Sequence, residues 1–339
     1  MKFAIVGAGA IGGLLGTRLA LAGNAVTFIA RNRNLAAINS QGFTLIEEDG
    51  SALQAPAGES LRAVQRMAEA GVQDVVLLTV KAHQLHELLA ELPALIGPQT
   101  LIVSMINGLP WWYFQGLAGP HEGRVLESVD PGGAIARTLP AAQVIGSIVY
   151  PAAQLEAPGR VRLIEGNRFS LGELDGTRSE RVEALSQVLM QAGFKAPVSR
   201  DIRSELWVKL WGNLSFNPIS ALTHATLEDI CRFPLTRELA ARMMTEAQTV
   251  GEQLGVQFKI SLDKRIAGAE AVGAHKTSML QDVEAGRALE LEALLGAVVE
   301  LARITGTPSP NLDAVYALTR LLGATLGREQ ARLSLQPLA

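Results

Sequence analysis

A chain of 339 residues is long enough for two domains with cores of their own, and 48% hydrophobic residues with a net charge of −3 describe a globular protein suited to water. Thirty Lys and Arg are offset by 33 Asp and Glu without a dense basic run, which excludes nucleic acid as a partner on charge grounds. Cys231 is the single cysteine, so an intrachain disulfide and a cysteine metal cluster are excluded, no metal is expected, and the chain suits a reducing compartment, the cytoplasm.

Residues 2–16 organise the reading. The apolar run Lys2 to Val6 leads into Gly7, Gly9 and Gly12, and then into Leu14, Leu15, Leu19 and Leu21 at helical spacing. Strand, glycine turn and helix in that order make the G-x-G-x-x-G dinucleotide fingerprint. Gly7 permits the turn, Gly9 lets backbone approach a pyrophosphate, and Gly12 lets the helix lie close to the strand, with the helix N-terminus facing the phosphates. A secretory signal is the rival reading of the same stretch, but so many glycines inside an apolar core argue against it.

The next strand, Ala25 to Ile29, ends in Ala30-Arg31-Asn32-Arg33. NAD-binding folds carry an Asp or Glu near this place for the ribose 2′-OH; Arg31 instead can pair with a 2′-phosphate, so the expected cofactor is NADP(H). Gly42 to Ile46 reads as a strand and Glu47 to Gly50 as a turn. Across residues 51–73 helical periodicity is best over Ser60 to Ala70. Asp74 to Val80 is a continuous apolar strand of the buried parallel kind, ending in Lys81-Ala82-His83, with a helix expected to about Leu92. Leu101 to Ile106 repeats the design and ends in Asn107-Gly108. Gly7, Arg31, Lys81 and Asn107 thus all fall at carboxyl ends of strands, where open α/β sheets bind ligands. Taken alone, Lys81 is a strand-end charge and Asn107-Gly108 a turn.

Residues 92–120 carry no formal charge, but Pro93, Gly97, Pro98, Gln99, Asn107, Gly108 and Pro110 interrupt them too often for a membrane span, and no membrane partner is expected. Arg124 to Val129, Gln143 to Tyr150, Arg160 to Ile164 and Arg168 to Leu171 read as strands completing the sheet, with antiparallel members allowed. A helix over Ser179 to Ala192 and a short strand near Lys195 to Ser199 close a first domain, 1–199. From there a second domain, 200–339, is helical, with helices expected at about 201–216, 235–254, 279–303 and 311–325, the first broken at Asn217-Pro218. The last dozen residues read as a loose tail.

On the first of these helices Lys209, Asn213 and Asn217 stand at i, i+4 and i+8, one stripe beside Leu206, Leu210 and Leu214, with Trp207 and Trp211 pointing elsewhere. An ammonium and two amides on an otherwise apolar helix are costly to bury without polar partners, and a solvated face would carry more charge. A lysine so placed can act as general acid toward a carbonyl oxygen.

With the glycine fingerprint, Thr79-Val80-Lys81, Asn107-Gly108, Trp207 to Pro218, Thr277 to Asp282 and Glu290 in hand, the chain resembles the ketopantoate reductases (2-dehydropantoate 2-reductases) along nearly its whole length. The resemblance implies a Rossmann-type α/β N-terminal domain followed by an all-α domain like the C-terminal domain of 6-phosphogluconate dehydrogenase. It also implies NADPH-dependent reduction of a 2-oxo acid held in the cleft between the domains. It makes Lys209 the general acid, Glu290 the carboxylate that positions lysine or substrate, Asn213 and Asn217 ligands of the substrate's oxygens, Ser278 the ligand of its carboxylate, and Lys81 and Asn107 residues of the cofactor side. Read by themselves, Glu290 is one of four glutamates on a helical stretch with Glu284, Glu292 and Glu300, and Ser278 is a helix cap.

Two departures bear on the substrate. Thr223 to Leu227 stands where the family often has a further asparagine, and Leu109-Pro-Trp-Trp-Tyr-Phe114 follows Asn107-Gly108. Four of the chain's 16 aromatic residues are consecutive there, so at least one of Trp111 and Trp112 is expected to line the substrate pocket, against the alternative of a packing plug. The rival functions are reduction of a bulkier 2-oxo acid or imine on the same fold, and a non-catalytic NADP(H) sensor. The sequence leaves the oligomeric state open and is compatible with a homodimer.

Overall fold

Strand β1 (Lys2–Val6) is buried from Phe3 onward, as a continuous apolar strand must be when both sheet faces are covered. In the computed structural model, which describes residues 1–336, it starts a first compact unit made of Met1–Val125 and Gly132–Ile202. The chain continues through α1 (Ala10–Leu21), β2 (Ala25–Ile29), α2 (Asn32–Gln41), β3 (Phe43–Ile46), β4 (Ala52–Ala55), β5 (Leu61–Val64), β6 (Val75–Leu78) and β7 (Leu101–Ser104). After it come α3 (Ala134–Thr138), β8 (Val144–Val149), β9 (Ala152–Ala157), β10 (Arg160–Glu165), β11 (Phe169–Glu173) and α4 (Glu180–Gln191).

Seven strands form the main sheet in the order β11-β8-β7-β6-β1-β2-β5, all parallel except β11. The chain runs from β1 outward to β2 and β5, then crosses to β6 on the other side of β1, so the strand order reverses between β1 and β6. That switch point is where doubly wound sheets open a crevice. A second sheet of four strands, β4-β3-β10-β9, covers the outer face of α1.

Helix α1 fits between the two sheets because three glycines remove its side chains where it is closest. A Cβ on Gly12 would stand 2.0 Å from the Gly7 carbonyl oxygen, one on Gly13 2.4 Å from the Phe43 ring, and one on Gly16 2.2 Å from the Phe28 ring. Phe28 and Phe43 are fully buried and stack at 5.2 Å between centroids.

Several sequence expectations are corrected. Residues 60–70 are not helical: they hold β5 and one short 3-10 turn (Met67–Glu69), and Ala52–Ala55 is a strand with three exposed residues whose pairing to β3, not its pattern, makes it one. No α-helix follows Lys81; three 3-10 turns (Ala82–Gln84, His86–Leu88, Leu92–Leu95) fill the stretch, the last with a proline in its first turn. The Arg160 strand joins the second sheet, not the first. Residues 195–199 make only isolated bridges, Lys195 to Arg168 and Val198 to Leu171.

The second unit comprises Leu126–Pro131 and the chain from Arg203 onward. Residues 124–129 are not a strand. The Glu300 carboxylate accepts the Glu127 N–H (2.8 Å), the Ser128 N–H (2.8 Å) and the Ser128 hydroxyl (2.6 Å), which ties the segment to the helices. Those helices are α5 (Ile202–Thr223), α6 (Leu227–Arg232), α7 (Pro234–Gln253), α8 (Leu262–Ala271), α9 (Ser278–Ala285), α10 (Ala297–Thr305) and α11 (Pro310–Arg328), with a π-helical turn at Glu292–Gly296.

Helix α5 does not end at Asn217-Pro218 but runs through Pro218 to Thr223. Proline costs it one donor, and the buried run Phe216 to Ala221 holds the continuation in place. Conversely the expected helix 279–303 is interrupted, because Gly286 ends α9 in the left-handed region (φ 66°). Residues 331–336 have no regular structure; the rest of the expected tail, 337–339, lies outside the described residues.

The α1 packing gives a stability test. Replacing Gly16 by Ala gains about 1 kcal/mol of helix propensity but forces a methyl into the Phe28 ring, and overpacking of this kind costs ~1–3 kcal/mol. We expect Gly16→Ala to lower the urea midpoint, with a net loss of up to about 2 kcal/mol; a raised midpoint would mean that Phe28 yields freely.

Candidate functional site

In the first unit the glycine turn is held by a residue to which the sequence reading gave no role. The Thr79 hydroxyl, just past β6, lies 2.8 Å from the Gly7 carbonyl and 3.0 Å from that of Val6. Gly7 has φ 109°, a conformation only glycine adopts without strain, and Gly9 is the N-cap of α1 with open space where a Cβ would stand. Open space at Gly9, a close approach at Gly12 and a free helix N-terminus fit a pyrophosphate.

Across the switch point, Arg31 is the exposed N-cap residue of α2. Asn34 donates its side-chain amide to the Ala8 carbonyl at 3.1 Å and so ties the Arg31 turn to the glycine turn. Gly7, Ala8, Arg31 and Asn34 line one cavity of about 220 Å³, together with Met67, Glu87 and Glu91. Lys81 and Asn107 do not line it; they stand at the ends of β6 and β7, on the other side of β1 from Arg31.

The second unit carries the remaining candidates. Trp207 and Trp211 are fully buried; Trp211 donates to the Met244 carbonyl on α7 at 2.6 Å, and both rings pack on Phe258. These anchors fix the rotation of α5, which leaves Lys209 and Asn213 half-buried and Asn217 buried on one stripe. Burial lowers the Lys209 pKa to about 8, and the negative charge of Glu290 partly opposes the shift.

Glu290 is not one more helical glutamate. It stands in the break between α9 and the π-helical turn, and its three neighbours in sequence have other partners. Glu284 pairs with Lys276 (2.8 Å), Glu292 accepts the Tyr316 hydroxyl (2.8 Å), and Glu300 holds Glu127 and Ser128. The helix-cap reading of Ser278 is also corrected: Thr277 is the N-cap, accepting from the Leu280 N–H, while Ser278 is the exposed first residue of α9. Thr223 to Leu227 is a capping turn, in which Thr226 and Asp229 bond reciprocally at the start of α6.

The aromatic run resolves toward packing. Trp111, Trp112, Tyr113 and Phe114 are all buried, and the Trp112 ring lies so close to Gly146 on β8 that a Cβ there would stand 2.9 Å from it. The expectation was that at least one of Trp111 and Trp112 lines the substrate pocket; the burial of both agrees with the packing alternative.

A glycine turn at a switch point belongs to the dinucleotide-binding folds, and a half-buried lysine under the charge of a carboxylate in a helical unit fits the oxidoreductases among them. The chain belongs to the ketopantoate reductase PanE/ApbA family: residues 3–176 match the family's N-terminal description and residues 201–323 its C-terminal one. Members use a nicotinamide cofactor. A 2-dehydropantoate 2-reductase of Mesorhizobium japonicum is 53% identical over 96% of this chain and 99% of its own length. A solved structure from Ralstonia solanacearum MolK2 is 40% identical and superposes with TM-score 0.90 over 96% of this chain and 98% of that one. A solved 2-dehydropantoate 2-reductase of Geobacter metallireducens is 26% identical, with TM-score 0.81 over 95% and 99%.

Trp112→Ala should remove roughly 3–5 kcal/mol of stability, as large-to-small changes of a buried tryptophan do. The ratio of turnover efficiencies between a small and a bulky 2-oxo acid should stay at the wild-type value; a changed ratio would restore the pocket assignment.

Proposed function

We propose that the protein is a 2-dehydropantoate 2-reductase that reduces ketopantoate to pantoate with NADPH. The observation that carries the reading is Lys209: a half-buried ammonium with its pKa lowered to about 8 by burial and partly sustained by the charge of Glu290, on one stripe with Asn213 and Asn217. A bound nicotinamide supplies the hydride to the carbonyl carbon. Lys209 supplies the proton to the carbonyl oxygen, being largely protonated at neutral pH yet a stronger acid than an exposed lysine. Asn213 and Asn217 orient the carbonyl and the neighbouring hydroxyl, Ser278 takes the carboxylate, and Glu290 keeps Lys209 charged and aimed. Gly7, Gly9 and Gly12 seat the pyrophosphate and Lys81 and Asn107 serve the nicotinamide side, while Arg31 pairs with the 2′-phosphate.

A panel of 2-oxo acids followed by NADPH absorbance tests the substrate; no turnover of any member would leave a cofactor-binding protein without chemistry. For the acid, the charged form is the active one, so kcat should be flat below pH 8 and fall about tenfold per pH unit above it, the slope of a single ionisation. Lys209→Ala should lower kcat roughly 100-fold or more and leave NADPH binding nearly unchanged. A variant with wild-type turnover would remove Lys209 from the chemistry.

Arg31 is tested separately. Losing a guanidinium from a phosphate costs about 1.5–3 kcal/mol, so Arg31→Ala should weaken NADPH at least tenfold and NADH hardly at all. Equal losses for both cofactors would refute its pairing with the 2′-phosphate.

A further inference from the structure

The cavity beside Arg31 contains a charge that phosphate binding does not explain. Glu87 and Glu91 both line it, although carboxylates near a phosphorylated ribose are repulsive. Glu91 has a partner, since its carboxylate accepts the Met67 N–H at 3.2 Å. Other polar groups of the lining are also engaged: the Asn34 amide donates to Ala8, and the Gln84 carbonyl oxygen accepts the Lys81 N–H at 3.1 Å. No hydrogen bond or ion pair to Glu87 occurs among the described residues, and the side chain is exposed.

The residues that line the cavity say which part of a dinucleotide lies there. The pyrophosphate belongs at Gly7 and Ala8, and a 2′-phosphate at Arg31. Lys81 and Asn107, at the strand ends of the nicotinamide side, are not in the lining. With the pyrophosphate and the 2′-phosphate so assigned, the rest of the lining, Met67, Glu87 and Leu88 among it, is left for the base attached to the phosphorylated ribose. An adenine carries one exocyclic donor, its 6-amino group, and Glu87 is an acceptor only.

We propose that Glu87 accepts a hydrogen bond from the adenine 6-amino group and so makes the cofactor site selective for adenine dinucleotides. The assignment rests on the NADP(H) reading for the placement of the ribose, but the amine contact itself is independent of the 2′-phosphate. It also gives the 3-10 turns after Lys81 a function: turn His86–Leu88 presents a carboxylate in the cavity wall.

The test measures dissociation constants, by quenching of tryptophan fluorescence, for NADPH and for its hypoxanthine analogue, in which an oxo group replaces the 6-amino group. The wild-type protein should prefer NADPH by roughly tenfold or more, the range of a hydrogen bond to a charged group. Glu87→Ala should reduce that preference to within about twofold, chiefly by weakening NADPH. Glu87→Gln should bind the analogue more tightly than wild type does, because a carboxamide can turn its N–H₂ toward the oxo group. A wild-type protein that does not distinguish the two cofactors, or a preference that survives Glu87→Ala and disappears in Gln65→Ala, would overturn the proposal. The same measurements with NADH and its hypoxanthine analogue separate this outcome from a failure of the 2′-phosphate reading: loss of the Arg31 effect changes the first comparison and leaves the amine comparison intact.

Discussion

The close approach of α1 to what surrounds it governs the first unit. Gly12, Gly13 and Gly16 leave no side chain on the faces of the helix that meet the glycine turn, Phe43 and Phe28, and bulk at any of them would push α1 away from its neighbours. The N-terminus of α1 is the proposed pyrophosphate site, so its position relative to the end of β1 decides whether the amides can meet that group. Thr79 completes the arrangement from β6 by bonding the carbonyls of Val6 and Gly7. Packing on one side and hydrogen bonds on the other thus fix the same turn, and Asn34 extends that rigidity to the Arg31 turn.

How far this was legible in the sequence follows from the range of each interaction. The strand, glycine turn and helix of residues 2–21 and the parallel strands β1, β2, β6 and β7 are local patterns and agree with the structure. Gly13 and Gly16 gave no signal, because the rings they accommodate come from strands 12 and more residues away in the chain. The second sheet was missed for the same reason: β4 is mostly exposed and becomes a strand only through its pairing with β3, which pairs in turn with β10 more than 100 residues later. In residues 82–95 an apolar period close to the helical one was satisfied by three successive 3-10 turns.

In the helical unit the stripe Lys209, Asn213, Asn217 was visible from spacing, whereas the partners were not. Which of Glu284, Glu290, Glu292 and Glu300 faces the lysine depends on where the helix breaks, and Gly286 alone is a weak sign of that break. The family resemblance supplied Glu290. The structure gives the physical reason: the other three carboxylates are engaged by Lys276, Tyr316 and the 127–128 backbone, and only Glu290 falls in the non-helical segment.

The Lys209 environment balances two opposed effects, and that balance suits a proton donor. Desolvation disfavours the ammonium and would, unopposed, carry the group toward the neutral amine, which has no proton to give. Glu290 favours the ammonium, and keeps the pKa near 8 rather than lower. A fully solvated lysine would err the other way: always charged, but too weak an acid to give up its proton readily. With Lys209 in its proposed role, the tryptophans that lock α5 against α7 and Phe258 bear on the chemistry as well as on the core. By fixing the helix rotation they fix how deeply Lys209 is buried, and burial is the larger of the two effects that set its acidity.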